Sequence, residues 1–224
     1  MRTRKASKQE KPLSNTLIIL AGGSSTRLGQ DKGLLELRGK PLIRHVLDAV
    51  GNIVDERIVV LSSDNQADKY ARELGSKVQL VIDSLEAQTP LVGTITGLET
   101  ARGQHALVLS CDAPFVSRNA LSLLLDLCIN KNAVIPRWPN GHIEPLQAVY
   151  HVESALGAAK NAFSEGKLNM AAMIEKISGV RYISTLVFKQ FDHELRTFFN
   201  INNLLDLKRA EALLKHLGSQ GTTS

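Results

Sequence analysis

The sequence predicts an α/β fold with a mainly parallel central sheet. Two observations carry this. Short aliphatic runs alternate with helical patterns of roughly 10–15 residues, the spacing of βαβ units. Chemically loaded residues recur directly after those runs, where parallel sheets bind their ligands. TLIILA (16–21), bounded by Asn15 and Gly22, is a buried strand. PLIRHVLDAV (41–50) puts Leu42, Val46, Ala49 and Val50 on one helical face, with Pro41 suited to the first turn. ERIVVLSS (56–63) is a second strand, and ADKYARELG (67–75) a helix closed by glycine. KVQLVID (77–83) is a third strand. PLVGTITGLETARG (90–103) starts with proline and ends with glycine, so it is assigned as a helix despite Gly93 and Gly97. HALVLSCD (105–112) is a fourth strand, and SRNALSLLLDLC (117–128) a helix capped by Ser117. AVIPR (133–137) and PLQAVY (145–150) are further strands. A helix-rich segment spans 152–176, RYISTLVF (181–188) and FFNIN (198–202) are short strands, and LLDLKRAEALLKHL (204–217) is a helix. The segment 137–190 is less regular and reads as an insertion shaping one side of the site.

The 224 residues suffice for one buried core. The division expected is a basic disordered tail over 1–14 and one domain over 15–218. The tail holds Arg2, Arg4, Lys5, Lys8 and Lys11 against Glu10, five cations less one acid, so it carries four of the five net positive charges. A solubilising extension is preferred over contact with nucleic acid or acidic lipid. Aromatic residues make up only 4% of the chain, which argues against a base-stacking surface, and no nucleic acid is expected as partner. No apolar run approaches the roughly 18 residues of a membrane span, and the tail lacks the apolar stretch of a secretion signal. Two cysteines, Cys111 and Cys128, are too few for a disulfide framework, which fits a reduced cytoplasmic compartment.

The stretch LIILAGGSSTRLGQDKG (17–33) holds the chemistry. Gly22 and Gly23 allow close backbone approach to a ligand, and successive backbone N–H groups in such a turn form an anion-binding concavity. Arg27 and Lys32 add two cations, and polyphosphate is the natural guest. The pattern is neither G-x-x-x-x-G-K-[ST] nor G-x-G-x-x-G. At the other strand ends stand Ser62 to Asp64, Asp83, Asp112, and Asn200 with Asn202.

LAGGSSTRLGQDKG resembles the signature L-A-G-G-x-S-x-R-M-G-x-D-K of the molybdenum cofactor guanylyltransferases. GLLELRGKPLIRHVLDAV, IDSLEAQTPLVGTITGL (82–98), SCDAPFVS (110–117), IEPLQAVY (143–150) and FFNINNLLDL (198–207) are similar to that family's blocks in their usual order. The resemblance covers nearly all of the chain beyond residue 15. It implies a three-layer α/β/α Rossmann-like nucleotidyltransferase fold. It also implies transfer of GMP from GTP to the terminal phosphate of molybdopterin, with Mg²⁺ required. Carried over by residue, Leu20, Ala21, Gly22 and Gly23 line the guanine and phosphate site. Lys32 contacts the triphosphate, Arg27 neutralises departing pyrophosphate, Asp83 contacts the nucleotide, and Asp112 is the magnesium ligand. The catalytic set is then Arg27, Lys32 and Asp112. Contact with molybdenum cofactor insertion proteins is a further expectation.

The chain departs from the family pattern in three places. Leu28 replaces a methionine, a volume-conserving change. Leu61-Ser62-Ser63 stands where relatives often carry a nucleotide-contacting asparagine. Asn203-Leu204-Leu205 replaces a threonine, proline and glutamate, with the expected loss of a favourable helix start.

Other readings stay open at this level. Asp83 is a nucleotide contact or a loop cap. Asn200 and Asn202 steady metal-bound water or the acceptor, or satisfy buried backbone. Glu144 faces the acceptor or is a surface acid. Cys111 reads as a buried strand-end thiol. The histidines show no H-E-x-x-H spacing. Gly93 and Gly97 allow close packing of their helix. Alternatives to the guanylyl reading are adenosylcobinamide-phosphate guanylyltransferase, molybdopterin cytidylyltransferase, or a non-catalytic nucleotide-binding regulatory protein.

Overall fold

Aliphatic strands apolar on both faces must be covered on both faces, and this decides the architecture. The computed structural model describes residues 14–22, 24, 25, 30–83 and 87–220. In chain order the strands are β1 (Asn15–Leu20), β2 (Ser24–Ser25), β3 (Gln30–Asp31), β4 (Glu36–Leu37), β5 (Lys40–Pro41), β6 (Glu56–Leu61), β7 (Gln79–Ile82), β8 (His105–Ser110), β9 (Ala133–Arg137), β10 (Gln147–His151) and β11 (Val180–Ser184). The helices are α1 (Leu42–Val50), α2 (Asp64–Leu74), α3 (Pro90–Thr100), α4 (Arg118–Leu127), α5 (Val152–Ser164), α6 (Met170–Glu175) and α7 (Leu204–Gln220).

Seven strands form one sheet in the order β11-β9-β10-β8-β1-β6-β7. All pairings are parallel except those of β10, which runs against both β8 and β9. Alternate residues of the central strands feed opposite layers. Leu17 and Ile19 of β1 join Val46 of α1, Tyr70 of α2 and Leu121 of α4 on one face. Ile18 and Leu20 join Leu91 and Ile95 of α3 and the alanines of α5 on the other. This is the three-layer α/β/α arrangement expected.

Gly97 explains how closely α3 lies on the sheet. A Cβ there would sit 2.5 Å from Ile18 Cγ2, so any larger residue would push the helix off β1. The close packing inferred for Gly93 and Gly97 is thus observed. Ser117 caps α4 as expected, its Oγ accepting the Ala120 amide. Arg38 and Gly39, both with positive φ, make the two-residue turn joining β4 to β5, a small hairpin the sequence reading did not include.

Three expectations are corrected. RYISTLVF is a strand only as far as Ser184, after which Thr185–Gln190 is a 3-10 helix. Its partner β9 ends at Arg137, opposite Ser184, so the ladder has nothing further to pair with. FFNIN is not a strand. A 3-10 turn, Arg196–Phe198, leads into irregular chain. Both edges of β8 are already taken by β1 and β10, so only the Ile201 amide pairs, with the Asp112 carbonyl at 2.9 Å. Finally, α7 does not lack a favourable start. Asn203 Oδ1 accepts the Asp206 amide at 3.0 Å, and the Asp206 carboxylate returns to the Asn202 amide at 3.1 Å. Asparagine is itself a strong N-cap.

Among the described residues no helix is long and apolar enough to cross a membrane. Residues 1–13, which make up most of the expected tail, lie outside the described part of the chain.

Candidate active site

In an open α/β sheet the ligand crevice opens where the strand order reverses. Here β1 connects toward β6 and β7, while the chain crosses back to β8 on the other side of β1. The crevice therefore lies at the carboxyl ends of β1 and β8, beyond Leu20 and Ser110. Two concavities meet there. The first, of about 90 Å³, is lined by Leu20, Gly22, Leu61, Ser62, Asp83, Thr89, Gly93 and Ser110 among others. The second, of about 650 Å³, is lined by Ser110, Asp112, Glu144, Leu146, Gln147, Asn169, Met170, Asn200 and Asn202 among others. Ser110 and Leu146 line both.

The first cleft is lined by apolar side chains, Leu20, Leu61 and Leu146, and by polar ones, Ser62, Asp83, Thr89 and Ser110. The N-terminal end of α3 opens onto it, capped by Thr89, whose Oγ1 accepts the Val92 amide. The positive end of a helix dipole favours an anionic guest there. Asp83 lies on the wall, its Oδ1 accepting the Thr96 hydroxyl at 3.1 Å. Gly22 is tight against the second strand end, since a Cβ would lie 3.1 Å from Ser62 Cβ. Ala21 is buried with its side chain in the core, and its amide donates to Val60 O at 2.9 Å, so it backs the cleft.

The second cleft is built around Asp112. Lys32 Nζ lies 2.5 Å from Asp112 Oδ2 and 2.8 Å from Asn202 Oδ1. The Ser110 hydroxyl donates to Asp112 Oδ1 at 2.5 Å. Thus residues eighty and one hundred and seventy positions from Lys32 converge on one ammonium. Glu144 takes the Trp138 indole N–H at 2.6 Å, which fixes its carboxylate at the groove. Two buried amide oxygens there, Asn200 Oδ1 and Gln147 Oε1, have no hydrogen-bond partner among the described residues. Buried acceptors without donors are uncommon, and a water or a ligand in the groove would satisfy these two. Cys111 is buried, and burial, with the nearby Asp112 and Asp31 charges, pushes its thiol far above the ordinary range. It is an inert packing thiol, as the sequence suggests.

Of the residues singled out from sequence, Leu20, Gly22 and Asp83 reach the first cleft, and Lys32 and Asp112 pair at the second. Gly23 and Arg27 lie outside the described residues, as does Leu28. Ser110, Gln147 and Asn169 were not anticipated. Gln147 and Glu144 sit at the start of an antiparallel strand, and that start shares the edge where the parallel strands end.

Residues 17–178 match the family model of the MobA-like NTP transferase domain. A probable molybdenum cofactor guanylyltransferase from Methanosarcina mazei is 33% identical over 213 residues, 93% of this chain and 95% of that protein. Another, from Pyrococcus horikoshii, is 36% identical over 197 residues, 84% of this chain and 95% of that protein. The crystal structure of molybdopterin-guanine dinucleotide biosynthesis protein A from Archaeoglobus fulgidus superposes with a TM-score of 0.77 at 28% identity. It covers 90% of this chain and 99% of that one. With fold, strand-end chemistry and sequence in agreement, the chain belongs to the molybdenum cofactor guanylyltransferases, nucleotidyltransferase enzymes with the MobA-like NTP transferase domain.

Proposed function

We propose that this enzyme takes GTP in the first cleft and molybdopterin in the second. It joins GMP to the terminal phosphate of molybdopterin and releases pyrophosphate. The observation that carries this reading is the seam between the clefts. Ser110 lines both and donates to Asp112, so the charged pair stands where two substrates would meet.

In the proposed reaction an oxygen of the acceptor phosphate attacks the α-phosphorus of GTP. A new P–O bond forms as the bond to the β-phosphate oxygen breaks, and the electron pair leaves with pyrophosphate. No covalent enzyme intermediate is needed, so the protein's task is positioning and neutralising charge. Lys32 would bear on the triphosphate, and Arg27 on the leaving pyrophosphate. Leu20, Gly22 and Gly23 would approach the base and phosphates closely, and Asp83 would contact the nucleotide. Gln147 Oε1 and the Glu144 carboxylate offer acceptors to the N–H groups of a pterin ring.

The donor set fits Mg²⁺. Asp112 supplies a carboxylate, and Asn200 Oδ1, on the segment bonded to the Asp112 carbonyl, is a buried oxygen without a donor among the described residues. Magnesium takes one or two carboxylates plus phosphate oxygens, so few protein ligands suffice. Asp112, Asn200 and Asn202 would hold it. When bound it neutralises phosphate charge as the bond to the leaving group breaks. We place the activity in a single domain over 15–218, in the cytoplasm, with molybdenum cofactor insertion proteins as partners for the product.

The test is pyrophosphate release with each of the four nucleoside triphosphates and each candidate acceptor, with and without Mg²⁺. GTP with molybdopterin should give the largest rate. Release only with CTP would make this a cytidylyltransferase, and release only with adenosylcobinamide phosphate would change the acceptor. Triphosphate binding without release under any pairing would favour a regulatory protein.

A further inference from the structure

We infer that Asp31 is a positioning residue for Lys32, fastening the chain that carries the lysine to helix α2 and to the wall of the nucleotide cleft. The inference rests on the proposed contact of Lys32 with phosphate and concerns how this chain holds that lysine in place.

Asp31 lines neither cleft, and both of its carboxylate oxygens are occupied. Its Oδ1 accepts the Gly33 amide at 3.0 Å and the Tyr70 hydroxyl at 2.6 Å. Its Oδ2 accepts the side-chain amide of Gln66. A carboxylate so engaged has little left for metal or substrate. The Gly33 contact alone would be an ordinary Asx turn. The two bonds from α2 are not local, since Gln66 and Tyr70 lie 35 and 39 positions away.

The partners are themselves fixed. Tyr70 is fully buried in the core beneath the sheet edge. Burial, with the charges around it, pushes its phenol far above the ordinary value, so it stays protonated as a donor. The chain crosses directly over this hydroxyl, because a Cβ at Gly33 would lie 2.2 Å from it. Gln66 Oε1 accepts both the Ser62 amide, at 2.9 Å, and the Ser62 hydroxyl, at 3.0 Å. Ser62 lines the first cleft. One hydrogen-bonded chain therefore runs Ser62–Gln66–Asp31–Tyr70, with Lys32 set between the pinned residues 31 and 33. A lysine has a long, freely rotating stem, so its ammonium is placed accurately only if its backbone is held. Displacements of about 1 Å at a reacting centre cost on the order of 100-fold in rate.

The experiment is a double-mutant cycle of Asp31→Ala and Lys32→Ala on the full chain. Its readouts are the dissociation constant of a fluorescent GTP analogue, which needs no acceptor, and the melting temperature. Asp31→Ala alone should weaken triphosphate binding about 10- to 100-fold, the range for hydrogen bonds to a charged group. In the Lys32→Ala background the same change should cost less than about 3-fold, because the two residues act as a unit. Tyr70→Phe keeps the ring in the core and removes only the hydroxyl. It should show a smaller loss of the same kind, which also vanishes without Lys32, and it serves if Asp31→Ala fails to fold. Equal losses with and without Lys32, or no loss, would overturn the positioning role. Failure of the wild-type protein to bind the analogue would instead overturn the nucleotide reading.

Discussion

Two carboxylates stand at opposite ends of the sheet, each paired with a cation. Glu56 begins β6 and Asp112 follows β8, and they are 6% and 7% exposed. Burial therefore does not distinguish them; the completeness of their surroundings does. Glu56 accepts the Thr16 hydroxyl at 2.7 Å, the Arg102 amide at 2.9 Å and Arg102 Nε at 2.7 Å. Thr16 Oγ1 in turn accepts the Gly103 amide at 3.1 Å. That network closes on itself and braces β1, β6 and the end of α3. Around Asp112 the cation comes from a loop, a large groove opens alongside, and two neighbouring amide oxygens lack donors among the described residues. The Glu56 network is closed by its own neighbours, whereas the Asp112 network borders the larger groove.

The largest effect that tests this contrast is expected at the open end. Asp112→Ala should lower Mg²⁺-dependent kcat by about 1000-fold, the scale for losing a charge-organising group, while the melting temperature changes little. Steady-state pyrophosphate release and thermal unfolding report the two quantities, and unchanged turnover would remove Asp112 from the proposed metal site.

At the closed end Glu56→Gln should do the reverse. It should cost about 2 kcal/mol of stability, from bonds to a charged group, and leave kcat nearly unchanged. Burial opposes ionisation of Glu56, but the Arg102 amide, the Thr16 hydroxyl and the Arg102 side chain outweigh it and hold its pKa below the usual 4.5. The stabilisation is therefore full above that value and fades as pH falls through the lowered one. Denaturant melts should show the wild-type advantage over Glu56→Gln shrinking as pH falls below 4.5 and through the lowered value. An advantage that grew on acidification would contradict the assignment.

Asn203→Ala should fall between the two ends. Loss of the α7 cap costs about 1 kcal/mol. Because the capped turn also holds Asn202, which accepts a hydrogen bond from Lys32, kcat/KM should drop about 3-fold as well. A pure stability change would show that the open site is not braced from this side.

Much of this was legible in the sequence. Aliphatic runs such as LIIL and ALVL must be covered on both faces, and that alone points to a layered parallel sheet. The glycines and cations after the first strand are the sequence signal on which the proposed anion site rests. The direction of β10 was within reach but not drawn. Residues 138–146 are too few for a crossover helix, which forces an antiparallel return. That return is what carries Glu144 and Gln147 to the same edge as Asp112. FFNIN misled because β-propensity says nothing about whether an edge is free, and β8 had none to offer. The Asn203 cap was legible too, because asparagine is a strong N-cap and Asp206 stands three residues on; the missing family Thr-Pro-Glu pattern hid it.

The sequence by itself determined most of the α/β element order and the family. These depend on local pattern and residue type, which a linear string displays in full. The tertiary structure alone closes the hydrogen-bond network around Glu56 and sets Asp112 against Lys32, Ser110 and the larger groove. It likewise places both Asp31 oxygens against Gly33, Tyr70 and Gln66, and leaves the Asn200 and Gln147 oxygens without donors among the described residues. Whether a polar atom is satisfied depends on groups tens of residues away, brought within 3 Å only by the packed sheet and its helices.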